Sequence, residues 1–194
     1  DVIIHCAAYT AVDHAEEDKE NCYSVNVNGT TFLAEAAKNV GAKFIYISTD
    51  YVFDGEGSEP FTETDATKPI GYYGLTKLQG EQAVQRILSD YFIVRISWVF
   101  GINGNNFVKT MLRLAETRNE LTVVGAQIGS PTYTADLAQL LLQMAQSEKY
   151  GIYHASNEGF CSWSQFATEI FRLTEDDVSV KAITTAEYPT KAKR

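Results

Sequence analysis

The sequence lacks four things, and each absence narrows what the chain can do. Positive charge is scarce: 25 acidic residues against 16 basic ones leave a net charge of −9, and no Lys/Arg cluster interrupts the interior. A nucleic-acid partner needs a basic footprint, so none is expected. No apolar run approaches the ~20 residues that span a bilayer. The opening Asp1-Val2-Ile3-Ile4-His5 has no basic n-region either, so no membrane partner is expected. The three cysteines, Cys6, Cys22 and Cys161, are odd in number and have no C-x-x-C spacing. A disulfide framework and a structural zinc site lose their support, no metal is expected, and a reducing cytoplasmic setting fits best. Finally, no glycine-rich turn follows the first strand pattern. The only G-x-G spacing near a strand, Gly55-Glu56-Gly57, leads into Pro60 instead of a helix and fails as a dinucleotide fingerprint.

What is present is a core. With 194 residues, 45% of them hydrophobic, the chain suffices for one globular domain, or one with a small appendage. Val2 to Ala8 is a continuous apolar run, the pattern of a central strand buried on both faces. From about Asn21 to Val40, Phe32, Leu33, Ala36, Ala37 and Val40 recur at helical spacing, and Gly41 stops the helix. Lys43 to Thr49 is β-branched and aromatic, hence a second strand. Residues 50–70 hold Gly55, Gly57, Pro60 and Pro69 without a sustained period; a loop that long is usually functional. Then follow a helix from about Tyr72 to Leu88, a strand from Tyr91 to Ser97, a helix from about Phe107 to Thr117 and a strand from Leu121 to Val124.

After residue 133, Thr134 is placed as the cap of a helix whose Leu137, Leu140, Leu141 and Met144 share one face. A strand at Ile152 to Ala155, a helix opening with the capping box Ser162-x-x-Gln165, and a strand at Val178 to Ile183 complete the chain. Strands alternating with helices predict an α/β fold, Rossmann-like, with a mainly parallel sheet and helices on both faces. Neither a repeat nor a low-complexity segment is visible. Residues 1–65 hold thirteen acids against three bases, while Lys191, Lys193 and Arg194 crowd the end, most simply as solvated chain.

In open parallel sheets ligands bind at the carboxyl ends of strands. After the first strand come the small residues Ala7-Ala8-Tyr9-Thr10, which let a flat ring approach the backbone. After the second come Ser48-Thr49-Asp50, and after the third Ser97-Trp98, with an aromatic ring free to cover a ligand. The helix that follows opens with Tyr72-Tyr73-Gly74-Leu75-Thr76-Lys77. Residues four apart share a helical face, which places the Tyr73 hydroxyl near the Lys77 ammonium. A nearby cation lowers a phenol's pKa and makes it a usable general acid/base. Any helix can contain Tyr-x-x-x-Lys, so a surface tyrosine stacked on a lysine stem is the bland account. Thr49 at a neighbouring strand end tips the balance.

Other features have bland readings. His5 and Cys6 lie in a buried strand pattern and read as packing. Asp13, Glu16, Glu17 and Asp18 read as an acidic first helical turn, not a metal cluster.

Thr49, Tyr73 and Lys77 together resemble the extended short-chain dehydrogenase/reductase family. The resemblance is carried by Ala7 to Asp13 with Ala15-Glu16, Ser48 to Gly55, Tyr73 to Glu81, Arg95 to Gly101, Asn106-Phe107-Val108 and Gly129 to Thr134, nearly the whole chain in order. Thr49-Asp50-Tyr51 and Trp98 favour its sugar-nucleotide reductases over its epimerases. The resemblance implies a nicotinamide cofactor, NADPH or NADH, a nucleotide-sugar substrate, and Thr49, Tyr73 and Lys77 as catalytic residues. It implies that Ala7, Ala8, Tyr9, Thr10 and Ile47, with Tyr73 and Lys77, bind the cofactor. Thr49, Asp50 and Trp98 would contact the sugar.

The family's opening strand and glycine-rich turn are not found before Asp1, so the resemblance implies a fragment truncated at both ends. Residues 1–124 would then be the later part of a dinucleotide-binding domain carrying the catalytic residues, and 125–194 mainly substrate-binding elements interleaved with the sheet. Gly125-Ala126-Gln127 departs from the family, which commonly has an acid before the Gln. An epimerase or dehydratase of the same family, and a non-catalytic regulatory subunit, are the alternatives. The oligomeric state stays open, with a homodimer among the options.

Overall fold

A computed structural model describes residues 1–188 and 190–192. The chain divides into two compact units that interleave in sequence: the first holds residues 1–96, 138–155 and 190–194, the second 97–137 and 156–189. The boundary at 124/125 suggested by the sequence passes through the second unit.

The first unit is built on a four-stranded parallel sheet in the order β1-β2-β3-β8, from Val2–His5 (β1), Lys43–Thr49 (β2), Tyr91–Ile96 (β3) and Gly151–Ala155 (β8). Residues alternate across β2 and β3. Phe44, Tyr46 and Ile93 face Ala37 of the helix Thr30–Val40 (α2) and Val84 of the helix Tyr72–Ile87 (α3). Ile45, Phe92 and Val94, on the opposite face, are equally buried. Both faces of these central strands are covered, as their unbroken apolar character requires.

β1 ends at His5 and, among the described residues, pairs with β2, with Val2 and Ile4 each 40% exposed.

The helix expected from Asn21 to Val40 runs as three pieces: α1 (Lys19–Tyr23), a π-helical segment (Ser24–Gly29) and α2. Gly41, at φ 65°, closes it in the left-handed conformation that glycine adopts without strain. Of the acids before it, Glu16 lies in a short 3-10 turn, His14–Glu16, with Asp13 and Glu17 at its two ends, and Asp18 stands at the N-cap of α1. Asp13 accepts from the Ala192 amide and Glu17 pairs with Lys191 at 2.6 Å, so the start of the basic tail is tied down; Lys193 and Arg194 lie outside the described residues.

The second unit holds Val99–Phe100 (β4), Phe107–Ala115 (α4), Glu120–Val124 (β5), Ile128–Gly129 (β6), Thr132–Tyr133 (β7), Cys161–Ser162 (β9), Trp163–Thr174 (α6) and Ser179–Ile183 (β10). β5 and β10 pair in parallel, as do β4 and β7, while β6 and β9 pair antiparallel. α4 and α6 cover β5 and β10 through Met111, Leu121, Val123, Ala167, Ile170 and Phe171. The Ser162/Gln165 capping box forms as its spacing predicts. The helix Thr134–Gln146 (α5) starts at Thr134, the residue expected to be its cap.

Candidate active site

In the first unit the paired ends of β1 and β2 meet the opening turns of α3. The register runs from Val2↔Lys43 to His5↔Tyr46, so residues 6–10 and 47–50 leave the sheet side by side. Glycine lets α3 lie against them. A Cβ on Gly74 would stand 2.1 Å from the Tyr51 carbonyl oxygen, and one on Gly80 2.3 Å from the Tyr46 hydroxyl. The N-cap position of α3, Gly71, has no side chain to offer. Glu16 caps instead, its Oε1 accepting from the Tyr72 amide at 2.7 Å, with a carboxylate where the helix dipole favours one.

This packing buries Tyr73 and brings its phenol close enough to Thr49 for the threonine to act on its titration. The Thr49 Oγ1 donates to Asp50 Oδ1 at 3.0 Å and accepts from the Tyr51 amide at 3.2 Å. Thr49 and Tyr73 are therefore brought together as the sequence suggested. Asp50 is solvent-exposed, and desolvation raises its carboxyl above the usual carboxylate range, against the Thr49 hydroxyl and the Asp50 and Tyr51 amides.

Lys77 departs from expectation. It is 2% exposed, its Nζ donates to the Ile47 carbonyl at 2.7 Å, and it lies 4.1 Å over the Tyr46 ring. Burial pushes its ammonium down to about 7, with Glu81, Cys6 and Cys22 opposing the shift. The phenol of Tyr73 is correspondingly not lowered: burial raises it, against the Thr49 hydroxyl, and Asp50, Tyr51 and Cys22 add to the rise. The physical reason is that the ammonium is engaged by a carbonyl and an aromatic face, and desolvation weakens its claim to a full charge.

The loop after β1 leaves Cys6, Ala7 and Thr10 exposed, with Ala8 and Tyr9 half-buried. Asn26 holds it by the backbone: its Oδ1 accepts from the Tyr9 amide at 2.8 Å, and its Nδ2 lies 3.3 Å from the Tyr9 carbonyl and 3.0 Å from Thr76 Oγ1. Thr76 in turn donates to the Tyr73 carbonyl at 2.9 Å. Sequence reasoning missed both Asn26 and Glu16. A buried asparagine inside a helical period was the available signal for the first, since asparagine is kept there for a specific bond; nothing local marked Glu16, whose partner is 56 residues away.

These residues fit a nicotinamide ring and its ribose. Two alanines leave the backbone open to a flat ring, and the Lys77 ammonium, near enough to act on the Cys6 thiol and the His5 ring, offers donors to hydroxyl groups.

Trp98 belongs to the second unit, and its ring is not free as expected. It stacks on Trp163, with ring centroids 3.5 Å apart, and packs so closely on Gly129 that a Cβ there would approach it to 2.7 Å. Its φ of 47° is a left-handed backbone that a bulky residue adopts only under constraint. The constraint is visible: Ser97 Oγ donates to the Ser130 carbonyl and Thr132 Oγ1 to the Ser97 carbonyl, both at 2.6 Å.

Comparison with known proteins gives one consistent picture. The family model of the RmlD substrate binding domain matches residues 1–194. A dTDP-4-dehydrorhamnose reductase of Aggregatibacter actinomycetemcomitans is 48% identical over 205 residues, covering 100% of this chain and 70% of that protein. The spore coat polysaccharide biosynthesis protein SpsK of Bacillus subtilis is 44% identical, covering 100% and 68%. Among solved structures, a dTDP-4-dehydrorhamnose reductase of Clostridium acetobutylicum superposes with a TM-score of 0.97 at 51% identity, covering 100% and 69%. One from Bacillus anthracis, in complex with NADP, gives a TM-score of 0.97 at 48% identity, also covering 100% and 69%.

Proposed function

The chain belongs to the RmlD substrate binding domain family, and from that premise we propose that it performs the NADPH- or NADH-dependent reduction of the 4-keto group of dTDP-4-dehydro-L-rhamnose to dTDP-L-rhamnose. The observation that carries this reading is the buried Tyr73 side chain, packed against Tyr9 of the loop after β1 and Tyr51 after β2, with its phenol near Thr49.

When bound, the nicotinamide supplies the hydride that reaches C4 of the sugar. Tyr73 delivers the proton to the resulting oxygen. A phenol kept protonated by burial suits that role in the reducing direction, where the group must start as an acid. The Thr49 hydroxyl hydrogen-bonds the same oxygen and holds it within reach of Tyr73. Lys77 is proposed to hold the nicotinamide ribose, with the Ile47 carbonyl fixing its ammonium in place. Ala7, Ala8, Tyr9 and Thr10 would line the cofactor, and Asp50 and Trp98 would contact the deoxysugar. A cytoplasmic location and a homodimer are proposed on the family resemblance alone.

The test follows NADPH oxidation and sugar product together. One equivalent of NADPH consumed per dTDP-L-rhamnose formed is the expected result. Keto sugar consumed without net NADPH oxidation would instead make the protein an epimerase or dehydratase.

A further inference from the structure

One buried charge pair has no part in the chemistry above. Arg95 Nε and Nη2 donate to Oε1 and Oε2 of Glu81 at 3.0 and 2.7 Å, and the two residues are 5% and 1% exposed. Ser48 Oγ donates to the same Oε1 at 2.5 Å. Taking two charges out of water costs about as much as their attraction returns, and apolar side chains of similar size often stabilise a core as well or better. Stability is therefore a poor account of the pair.

Position gives a better one. Ser48 sits between Ile47, whose carbonyl holds the Lys77 ammonium, and Thr49, whose hydroxyl donates to Asp50 and lies near the Tyr73 phenol. Glu81 lies one helical turn beyond Lys77 on the same face of α3. On its other side Arg95 stands 5.1 Å from the Phe53 ring and 3.5 Å from His154 Nε2. His154 meets the long loop twice, through the Phe61 carbonyl at 3.2 Å and, by its own amide, through Glu63 at 2.9 Å.

We propose that the Glu81–Arg95 pair is a positioning device: it fixes Ser48, and with it the carbonyl and hydroxyl that orient Lys77 and Tyr73, and couples them to the 53–70 loop. This rests on the reading of Tyr73 and Lys77 as the reacting pair. The groups facing Lys77 are His5 at the end of β1 and Cys6 just after it, Cys22 from α1, Tyr46 from β2, and Glu81 from α3. Glu81 is the carboxylate among them, and it favours the charged ammonium. Removing it moves the Lys77 titration to lower pH.

Two variants test the proposal, Glu81→Leu with Arg95→Met, which replaces the pair by apolar side chains, and Ser48→Ala, which cuts one arm. For the double variant the expected result is a thermal midpoint near that of wild type. Its kcat falls at least ~10-fold, the scale of a misplaced reacting group, with KM for the nucleotide sugar little changed. The basic limb of its pH profile moves down, and so does the Lys77 titration followed by NMR of the Nζ group. Ser48→Ala lowers kcat in the same direction without moving the titration as far. A lost midpoint with wild-type kcat per folded molecule, or an unmoved Lys77 titration, overturns the proposal. If the double variant does not fold, wild-type kcat in Ser48→Ala overturns it. An inactive wild type defeats the proposed function instead, and the NMR titration still decides this inference.

Discussion

The Lys77 ammonium donates to the Ile47 carbonyl, while the Tyr73 phenol, one turn earlier on the same helical face, lies near Thr49. The two side chains are neighbours that draw on different partners, so the phenol keeps its proton and acts as a donor. Tyr73→Phe should lower turnover at least ~10²-fold, the scale of general acid catalysis. Loss of the hydroxyl should cost no more than about 1 kcal/mol of stability, the scale of one hydrogen bond, read by urea denaturation. Turnover like that of wild type would remove Tyr73 from the chemistry.

Stability should carry the signature of these buried groups in its pH dependence. The Lys77 pKa is depressed to about 7 in the fold, so between there and its ordinary value near ~10.4 the unfolded chain holds a proton that the folded chain lacks. Its contribution therefore rises with pH across that window, by at most ~1.4 kcal/mol per pH unit. His5, depressed to about 4 by burial and by Lys77, adds a rise between that value and its ordinary one near ~6.5. Tyr73 acts oppositely: its pKa is raised, so its contribution falls once the unfolded phenol ionises above pH ~10. Urea midpoints between pH 5 and 10 check this, with Lys77→Met expected to flatten the rise above neutrality.

Gly74 is a sharper structural test than any substitution of the catalytic groups. Its missing Cβ would lie 2.1 Å from the Tyr51 carbonyl oxygen, a backbone atom with little room to yield. Gly74→Ala should cost about 1–3 kcal/mol as overpacking, and should lower kcat by displacing Tyr73 from Thr49. A calorimetric midpoint unchanged from wild type would show that α3 does not lie this close to the end of β2.

Asn26 should matter to the cofactor more than to the chemical step. Asn26→Ala frees the Tyr9 amide and carbonyl and removes the link to Thr76. About 1–3 kcal/mol of stability should be lost with the unsatisfied groups. Binding of NADPH, measured by titration calorimetry, should weaken more than that of the nucleotide sugar. Equal weakening of both would mean that the loop after β1 serves neither ligand selectively.

The parts of this molecule legible in the sequence are those set by short-range rules. β2 runs from Lys43 to Thr49 as its residue types predict, α3 starts at Tyr72, Gly41 stops α2, and Ser162 caps α6 with Gln165. The meeting of Thr49 and Tyr73 was legible because strand ends and helix starts converge in open sheets. What escaped depends on distant partners. The capping of α3 by Glu16, the turning of Lys77 toward Ile47 and the stacking of Trp98 on Trp163 are each decided across at least 30 residues of chain, where periodicity carries no information. The direction of the Tyr73 shift escaped for a related reason: spacing reports the nearby charge, and only the packed structure reports the desolvation that outweighs it.

The two tryptophans of the chain, Trp98 and Trp163, both lie in the second unit, ring against ring. Indole chromophores at that separation couple, so the pair should give an exciton couplet in the circular dichroism spectrum, and its fluorescence should respond to changes in the second unit alone. The first unit, which holds Tyr73, Lys77 and the Glu81–Arg95 pair, is dark in that channel. The protein thus carries a built-in optical label on one unit, and the unfolding of that unit can be followed without attaching a probe.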